Sequence, residues 1–345
     1  MNNNEDLHTS TKELMMEMSK EDILNIAQAH LLEVNEETSK LELVEQINQI
    51  LVDDFAKDSH YFLMDEFLFL IYVFLQFEED KQSSIAVVLQ SILNQYDYEI
   101  DDEDGEQIIK KGYFQILKET EESIVLRPYP QIYHYFLNNI TPILTTAVKN
   151  QKMADLTVAL TNIYGFYSYS QYVHIWNLYN SEDTLTEETA SDFFPQIQEK
   201  GLNFYLFNKT VINDMIPMEE FRSLYENSKN LPWFIPPKEM IEQGAKTLIN
   251  TDSEEYKALK LFFKHNKGNI KSKKKLEEIV DHLTLELKFD SPPSAVMEIL
   301  FEKDYVFDND ITVQTFLTRY QQISDNTRKW TLKGFTPKEI QTLIT

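Results

Sequence analysis

Apolar residues recur at intervals of three and four along most of this chain. Ile23, Leu24, Ile26 and Ala27 predict a helix opened by Ser19, with Asp22 three residues on. An extended stretch over residues 31–38 follows. Ser39 with Glu42 three later then reads as a capping box, in which each side chain satisfies the other's orphan amide. The helix it opens carries Leu43, Val44, Ile47, Ile50 and Leu51. Residues 62–77 are apolar almost all round, the mark of a central buried helix. A helix from Ser84 and a third through the acidic 101–111 segment come next, the last stopping at Gly112. Two short apolar runs, 113–117 and 124–126, flank the polar turn 119–123 as a hairpin.

Residues 140–216 are expected to repeat that order. Helices are predicted over 141–148, 156–164, 170–179 and 187–199, with Gly165 and Gly201 as stops. The runs 204–207 and 210–212 flank Asn208-Lys209, a short hairpin connection. Three helices and a hairpin is the order of a winged helix, a fold that does not by itself imply DNA binding. Pro232, Pro236 and Pro237 then bar regular helix. Beyond them helices are predicted near 252–266, 272–288, 294–302 and 310–323, and Thr336-Pro337 opens a last short one.

The expected fold class is mainly α with minor hairpins. The expected organisation is a flexible leader (1–17), a helix–extended–helix unit (18–54), two winged-helix-like blocks (60–138 and 139–230) and a helical C-terminal domain (231–345).

Composition removes whole classes of function. The 345 residues include no cysteine, which excludes disulfides, thiolate-ligated zinc and a thiolate nucleophile. The longest apolar run, Phe67 to Leu75, falls well short of the roughly 20 residues a bilayer span needs. With a polar, acidic start and no signal-like segment, a cytoplasmic protein is expected. The net charge is −25, a field that repels phosphate backbones unless positive charge is gathered in one place.

Two segments resemble known families. Ser19-Lys20-Glu21-Asp22-Ile23-Leu24 and Ser39-Lys40-Leu41-Glu42-Leu43-Val44-Glu45-Gln46-Ile47 resemble the SAP domain and the similar N-terminal module of the Rho transcription terminator. The resemblance implies DNA or RNA binding through basic residues near the second helix, yet between Ser19 and Asp54 two lysines face nine acids. From about Asn150 onward the chain resembles bacterial proteins that often end in a SEC-C motif. That likeness rests on Asn162-Ile163-Tyr164-Gly165, Leu231-Pro232-Trp233 with Pro236-Pro237, Tyr256-Lys257-Ala258-Leu259, and the segment Asn326-Thr327-Arg328-Lys329-Trp330 through Gly334-Phe335-Thr336-Pro337-Lys338-Glu339. The family's zinc knuckle needs cysteines this sequence lacks, so zinc binding is not implied.

Motifs for chemistry are missing. No two glycines lie closer than seven positions, so neither a P-loop nor a dinucleotide fingerprint can be built, and the nucleophile elbow is absent too. No two of the seven histidines have the i, i+4 spacing of a helical zinc site. Aligning Gly105 with a calcium loop puts Ile100 and Lys111 where carboxylates are required. No catalytic residue, cofactor or metal is therefore expected.

One basic feature stands out. Lys257, Lys260, Lys264, Lys267, Lys271, Lys273, Lys274 and Lys275 follow one another with no carboxylate between them. The first four step by three and four, which predicts one helix face with Leu259, Phe262 and Phe263 opposite. Such a stripe is either an ordinary solvent face that relieves the chain's own repulsion or a contact for an acidic partner or a phosphate backbone. An aromatic cluster (Tyr164, Phe166, Tyr167, Tyr169, Tyr172, Trp176) reads as core packing, with base stacking as its alternative. The function expected is that of a non-enzymatic adaptor or regulator acting through protein surfaces. The alternative is a nucleic-acid-associated protein using the SAP-like unit and the 257–275 lysines.

Overall fold

A computed structural model of the chain describes residues 10–35, 37–78, 82–96, 105–120 and 123–344. It is mainly α-helical with small antiparallel sheets, the class that the three-and-four spacing predicts. Two compact units divide it, Met1–Met153 and Ala154–Thr345. None of the described helices is long and apolar enough to cross a membrane.

The first unit begins with α1 (Thr11–Glu17), α2 (Lys20–Ala29) and α3 (Lys40–Ser59). Helix α1 corrects the expectation of a loose leader over 1–17. Ser10 and Glu13 form a reciprocal capping box, with the Ser10 amide donating to the Glu13 carboxylate at 2.8 Å, and Leu14 and Met15 are buried. Residues 1–9 lie outside the described residues. Ser19 and Asp22 make the same box on α2, whereas Ser39 caps α3 through the Glu42 amide at 3.2 Å. Helix α3 outruns the expected end at 54, because Phe55 continues its apolar stripe and is fully buried. Lys40 reaches from α3 to the Met16 carbonyl at 2.6 Å and to the Met18 carbonyl, closing the carboxyl end of α1.

Helices α4 (Met64–Phe77), α5 (Ser84–Tyr96) and α6 (Glu106–Lys110) lead into the hairpin of β1 (Phe114–Thr120) and β2 (Ser123–Pro128). Helix α4 is buried on nearly every side, as its composition predicts, and Phe74 meets Phe136 with ring centroids 4.7 Å apart. The acidic residues 101–104, expected in the third helix, lie outside the described residues. Within the hairpin Ile116, Leu117, Ile124 and Val125 are exposed.

Helix α7 (Pro130–Tyr164) is one continuous element where two helices and a block junction at 138/139 are expected. Its polar middle stays helical because those residues have partners or burial of their own. Asn150 donates to the carbonyls of His60 at 2.9 Å and Phe62 at 3.0 Å, and Met153 and Ala154 are buried.

The second unit takes the end of α7 and continues with β3 (Phe166–Ser168), α8 (Tyr169–Tyr179), α9 (Glu187–Gln198), β4 (Phe204–Phe207) and β5 (Thr210–Asn213). The strands form one antiparallel sheet in the order β3-β5-β4. Strand β3 is absent from the sequence prediction, since three residues are too few to display a period. Asn208 and Lys209 both have positive φ, the conformation of a two-residue hairpin turn. The aromatic cluster is core: Tyr164, Phe166, Tyr167, Tyr169, Tyr172 and Trp176 are all buried, so none of these rings is open for a base to stack on.

Helices α10 (Met218–Ser228), α11 (Lys238–Gly244), α12 (Glu254–His265), α13 (Lys273–Phe289), α14 (Pro293–Glu302), α15 (Asp310–Ser324) and α16 (Pro337–Ile344) complete the unit. A core of Leu259, Phe262, Phe263, Ile279, Leu283 and Phe316 joins α12, α13 and α15. The sequence division at 230/231 does not isolate the C-terminal helices. Trp330, fully buried, shares a core with Phe166, Ile212, Ile216 and Phe221 from the preceding block.

Residues 326–339 lock the second unit. The Trp330 indole N–H donates to the Asn162 carbonyl at 3.1 Å and the Trp330 amide to the Lys288 carbonyl at 2.9 Å. Gly165, at φ +74, lies so close that a β-carbon would sit 2.6 Å from the indole. Buried Lys329 donates to the Leu287 carbonyl and the Ser324 hydroxyl, both at 2.7 Å, at the carboxyl end of α13. Lys333 donates to the carbonyls of Lys229 at 3.3 Å and Leu231 at 3.0 Å, just past α10. Carbonyls at helix ends have no partner within the helix and carry partial negative charge, so an ammonium is well matched to them. Arg328 closes the segment with a bidentate pair to Glu339 at 2.9 and 3.1 Å and a stack 3.6 Å above the Phe234 ring.

Truncating Trp330 to alanine is expected to cost about 3–5 kcal/mol. Gly165→Ala and Gly201→Ala share the roughly 1–2 kcal/mol cost of left-handed backbone, but a β-carbon at Gly201 meets no atom within 4 Å. Urea denaturation is therefore expected to place Gly165→Ala well below Gly201→Ala; equal midpoints would contradict the close contact with Trp330.

Candidate functional site

The eight lysines occupy α12, the connection after it and the first turn of α13. Lys257, Lys260 and Lys264 lie on α12, and Leu259, Phe262 and Phe263 are buried opposite them. Lys267 departs from the prediction. Helix α12 ends at His265 with Asn266 as its cap, so Lys267 stands in the connection beside Lys271. Lys275 is half-buried and the other seven are exposed.

Four of them have acidic partners. Lys260 lies 3.2 Å and Lys273 3.8 Å from Glu277, Lys257 lies 3.8 Å from Glu254, and Lys275 lies 3.4 Å from Asp304. These are exposed pairs, worth little each. Among the described residues Lys264, Lys267, Lys271 and Lys274 have no ion pair. Lys273, Lys274 and Lys275 also occupy the amino-terminal turn of α13, with no acid in that turn. The helix dipole is positive there, so their field adds to it.

Apolar surface accompanies this charge. Leu261, between Lys260 and Lys264, is 51% exposed. The 266–269 connection is tied to the loop after α14: Asn269 donates to the Asp304 carbonyl at 2.7 Å and accepts from the Val306 amide at 2.9 Å. That tie sets Val306, 60% exposed, beside the lysines.

A second site lies within the same unit. A pocket of about 360 Å³ opens between the end of α7, α11, the start of α12, α13 and the 326–336 segment, within the size range of small-molecule sites. Ile163, Met240 and Leu248 supply apolar wall, and Lys288, Glu255 and Arg328 bring charge. Lys288 donates to the Asn162 carbonyl at 3.0 Å, at the end of α7. Part of its side chain remains in contact with solvent, but the amine is densely surrounded by protein. Burial lowers its pKa from 10.5 to about 8, and the negative charge of Glu255 works in the opposite sense.

Among the described residues no group of three or more His, Asp or Glu side chains is arranged to hold a metal. No family model, no curated protein and no solved structure matches the chain.

Lys288 and Glu255 are not found by reading the sequence. The signal available was a lysine between apolar neighbours, Leu287-Lys288-Phe289. That pattern does not mark an inward cation by itself, because Leu259-Lys260-Leu261 has it too and Lys260 is exposed.

Labelling with an amine-selective reagent across a pH series, read by peptide mapping, tests the Lys288 environment. Reactivity at Lys288 is expected to rise with pH through a midpoint near 8, as the amine loses its proton. A midpoint near the ordinary 10.5 would contradict its burial.

Proposed function

We propose that this chain is a non-enzymatic, cytoplasmic adaptor or regulator whose 257–275 face docks an acidic polypeptide bearing apolar side chains. The carrying observation is the pairing of the unneutralised Lys264, Lys267, Lys271 and Lys274 with exposed Leu261 and Val306. A phosphate backbone rewards charge alone, and its readers add arginine or exposed aromatics. An amphipathic acidic segment uses both components of this face.

Charge elsewhere supports the same reading. The first unit carries 11 Lys+Arg against 29 Asp+Glu, a net of −18, which disfavours contact with nucleic acid through that unit. Its α2–α3 pair is consistent with the SAP-like resemblance, while the acidic balance favours a protein partner over the family's nucleic acids. The element order α7-β3-α8-α9-β4-β5 and strand order β3-β5-β4 support a winged-helix reading of the second block. A SEC-C-type relationship remains part of this proposal and rests on the quoted residues alone. The second functional reading, nucleic-acid association, is favoured only by the unpaired lysines.

Fluorescence anisotropy separates the readings, using a Glu/Leu amphipathic helical peptide, polyglutamate and a 20-base-pair duplex as probes. The peptide is expected to bind more tightly than polyglutamate, to weaken with salt and to be lost on reversing Lys264, Lys267, Lys271 and Lys274 to Glu. Leu261→Ser and Val306→Ser should weaken it by about three- to tenfold each, on the scale of a buried aliphatic contact. Duplex binding that falls with salt and ignores the two serine variants would support the second reading. Binding to none of the probes at low salt would overturn both.

A further inference from the structure

The pocket of the second unit carries an inference that stands apart from the lysine face. Nearly every polar group lining it is already committed. The Arg328 guanidinium is held by Glu339 and the Gly334 carbonyl. Asn162 donates to the Gly244 carbonyl at 2.8 Å. The Thr284 hydroxyl donates to the Val280 carbonyl within α13, and the Thr327 hydroxyl, just past α15, donates to the Ile323 carbonyl. Thr336 belongs to the capping box of α16, its amide 2.9 Å from the Glu339 carboxylate.

Lys288 and Glu255 differ from these. Lys288 makes one hydrogen bond, to the Asn162 carbonyl, whereas buried Lys329 makes two hydrogen bonds and an ion pair with Asp290 at 3.3 Å. An ammonium has three donors, so two of those on Lys288 remain unused among the described residues. Among the described residues the Glu255 carboxylate has no ion pair and accepts no hydrogen bond, and it does not pair directly with Lys288. The pocket thus holds one unspent positive and one unspent negative group against the apolar wall of Ile163, Met240 and Leu248.

That arrangement selects among ligand classes. A simple anion attracted to Lys288 faces repulsion from Glu255, and a simple cation has the converse difficulty. An apolar molecule leaves both charges desolvated without a partner. A small zwitterion satisfies both. We propose that this pocket binds a free α-amino acid with an apolar side chain, its carboxylate on the Lys288 ammonium, its ammonium on the Glu255 carboxylate and its side chain against Ile163, Met240 and Leu248. The lowered pKa of Lys288 fits an amine short of counter-charge, which a ligand carboxylate supplies.

Isothermal titration of the full chain at neutral pH tests this with L-leucine, L-methionine and L-phenylalanine. The controls are 3-methylbutylamine and 4-methylpentanoate, which are leucine without its carboxylate and without its amine. At least one amino acid is expected to bind, and removal of either charge should weaken leucine about tenfold or more, as loss of a charged hydrogen bond does. Glu255→Gln, at a partly exposed position in the first turn of α12, should produce the same loss. Lys288→Met should abolish binding, with circular dichroism reporting whether the fold survives. The fourfold lysine-to-glutamate variant of the 257–275 face should bind leucine normally, so failure here is distinguishable from failure of the docking proposal. Absence of binding by all three amino acids at millimolar concentration would overturn the assignment, as would equal binding of the single-charge analogues or an unchanged affinity in Glu255→Gln.

Discussion

Helix carboxyl ends leave carbonyls that no residue of the helix can satisfy, and this chain has few glycines with which to turn such ends in the usual way. The second unit depends on another solution, which is long cationic side chains brought from elsewhere in the sequence. Lys288 answers α7, Lys329 answers α13 and Lys333 answers the segment after α10. Lys40 does the same for α1 in the first unit, and Asn150 closes the turn after α3 there. Each cation gives up hydration to reach its carbonyls, and burial accordingly lowers the pKa of both Lys329 and Lys333. A buried charge is costly where its hydrogen bonds are incomplete, and Lys329, with two acceptors and the Asp290 carboxylate, meets that demand more fully than Lys288. These contacts therefore specify where each helix stops and what lies beyond it.

The same segment that holds the unit together also shapes its pocket. Trp330 and Lys288 both donate to the Asn162 carbonyl, so the end of α7 is fixed from two directions. Arg328, spent on Glu339 and on the Phe234 ring, forms wall without offering charge to a ligand. Lysine thus serves two purposes in one unit. The buried lysines are structural cations with specific acceptors, and the 257–275 lysines are a solvent-facing field with few.

Much of the fold was legible because local physics decided it. The stripes of α12, α13 and α15 were read within two residues of their bounds, since each buries one face and the period shows which. The hairpin at Asn208-Lys209 was legible because two short apolar runs flank a two-residue polar connection that opens with asparagine, a residue that tolerates left-handed backbone. The continuity of α7 was not, because its polar middle owes its place to carbonyls 88 to 90 residues away. The short helix over 11–17 is not legible in the sequence, because Leu14 and Met15 are too few apolar positions to display a helical period. At the candidate sites the lysine face could be named residue by residue, apart from Lys267, which falls just past its helix. The Lys288–Glu255 pocket was illegible, because its walls come from five separate stretches of chain and its two free groups are distinguished only by what their neighbours have already used.

Buried cations from 326–339 hold the surrounding helices and sheet as one cooperative structure. Native-state hydrogen exchange of Lys329→Met, with the exposed Lys264→Met as control, tests it most directly. The account predicts that protection falls together in the last turns of α7 and α13 and across β3–β5–β4, while the control matches the parent chain. A loss confined to residues 326–332, with α13 and the sheet still fully protected, would contradict it.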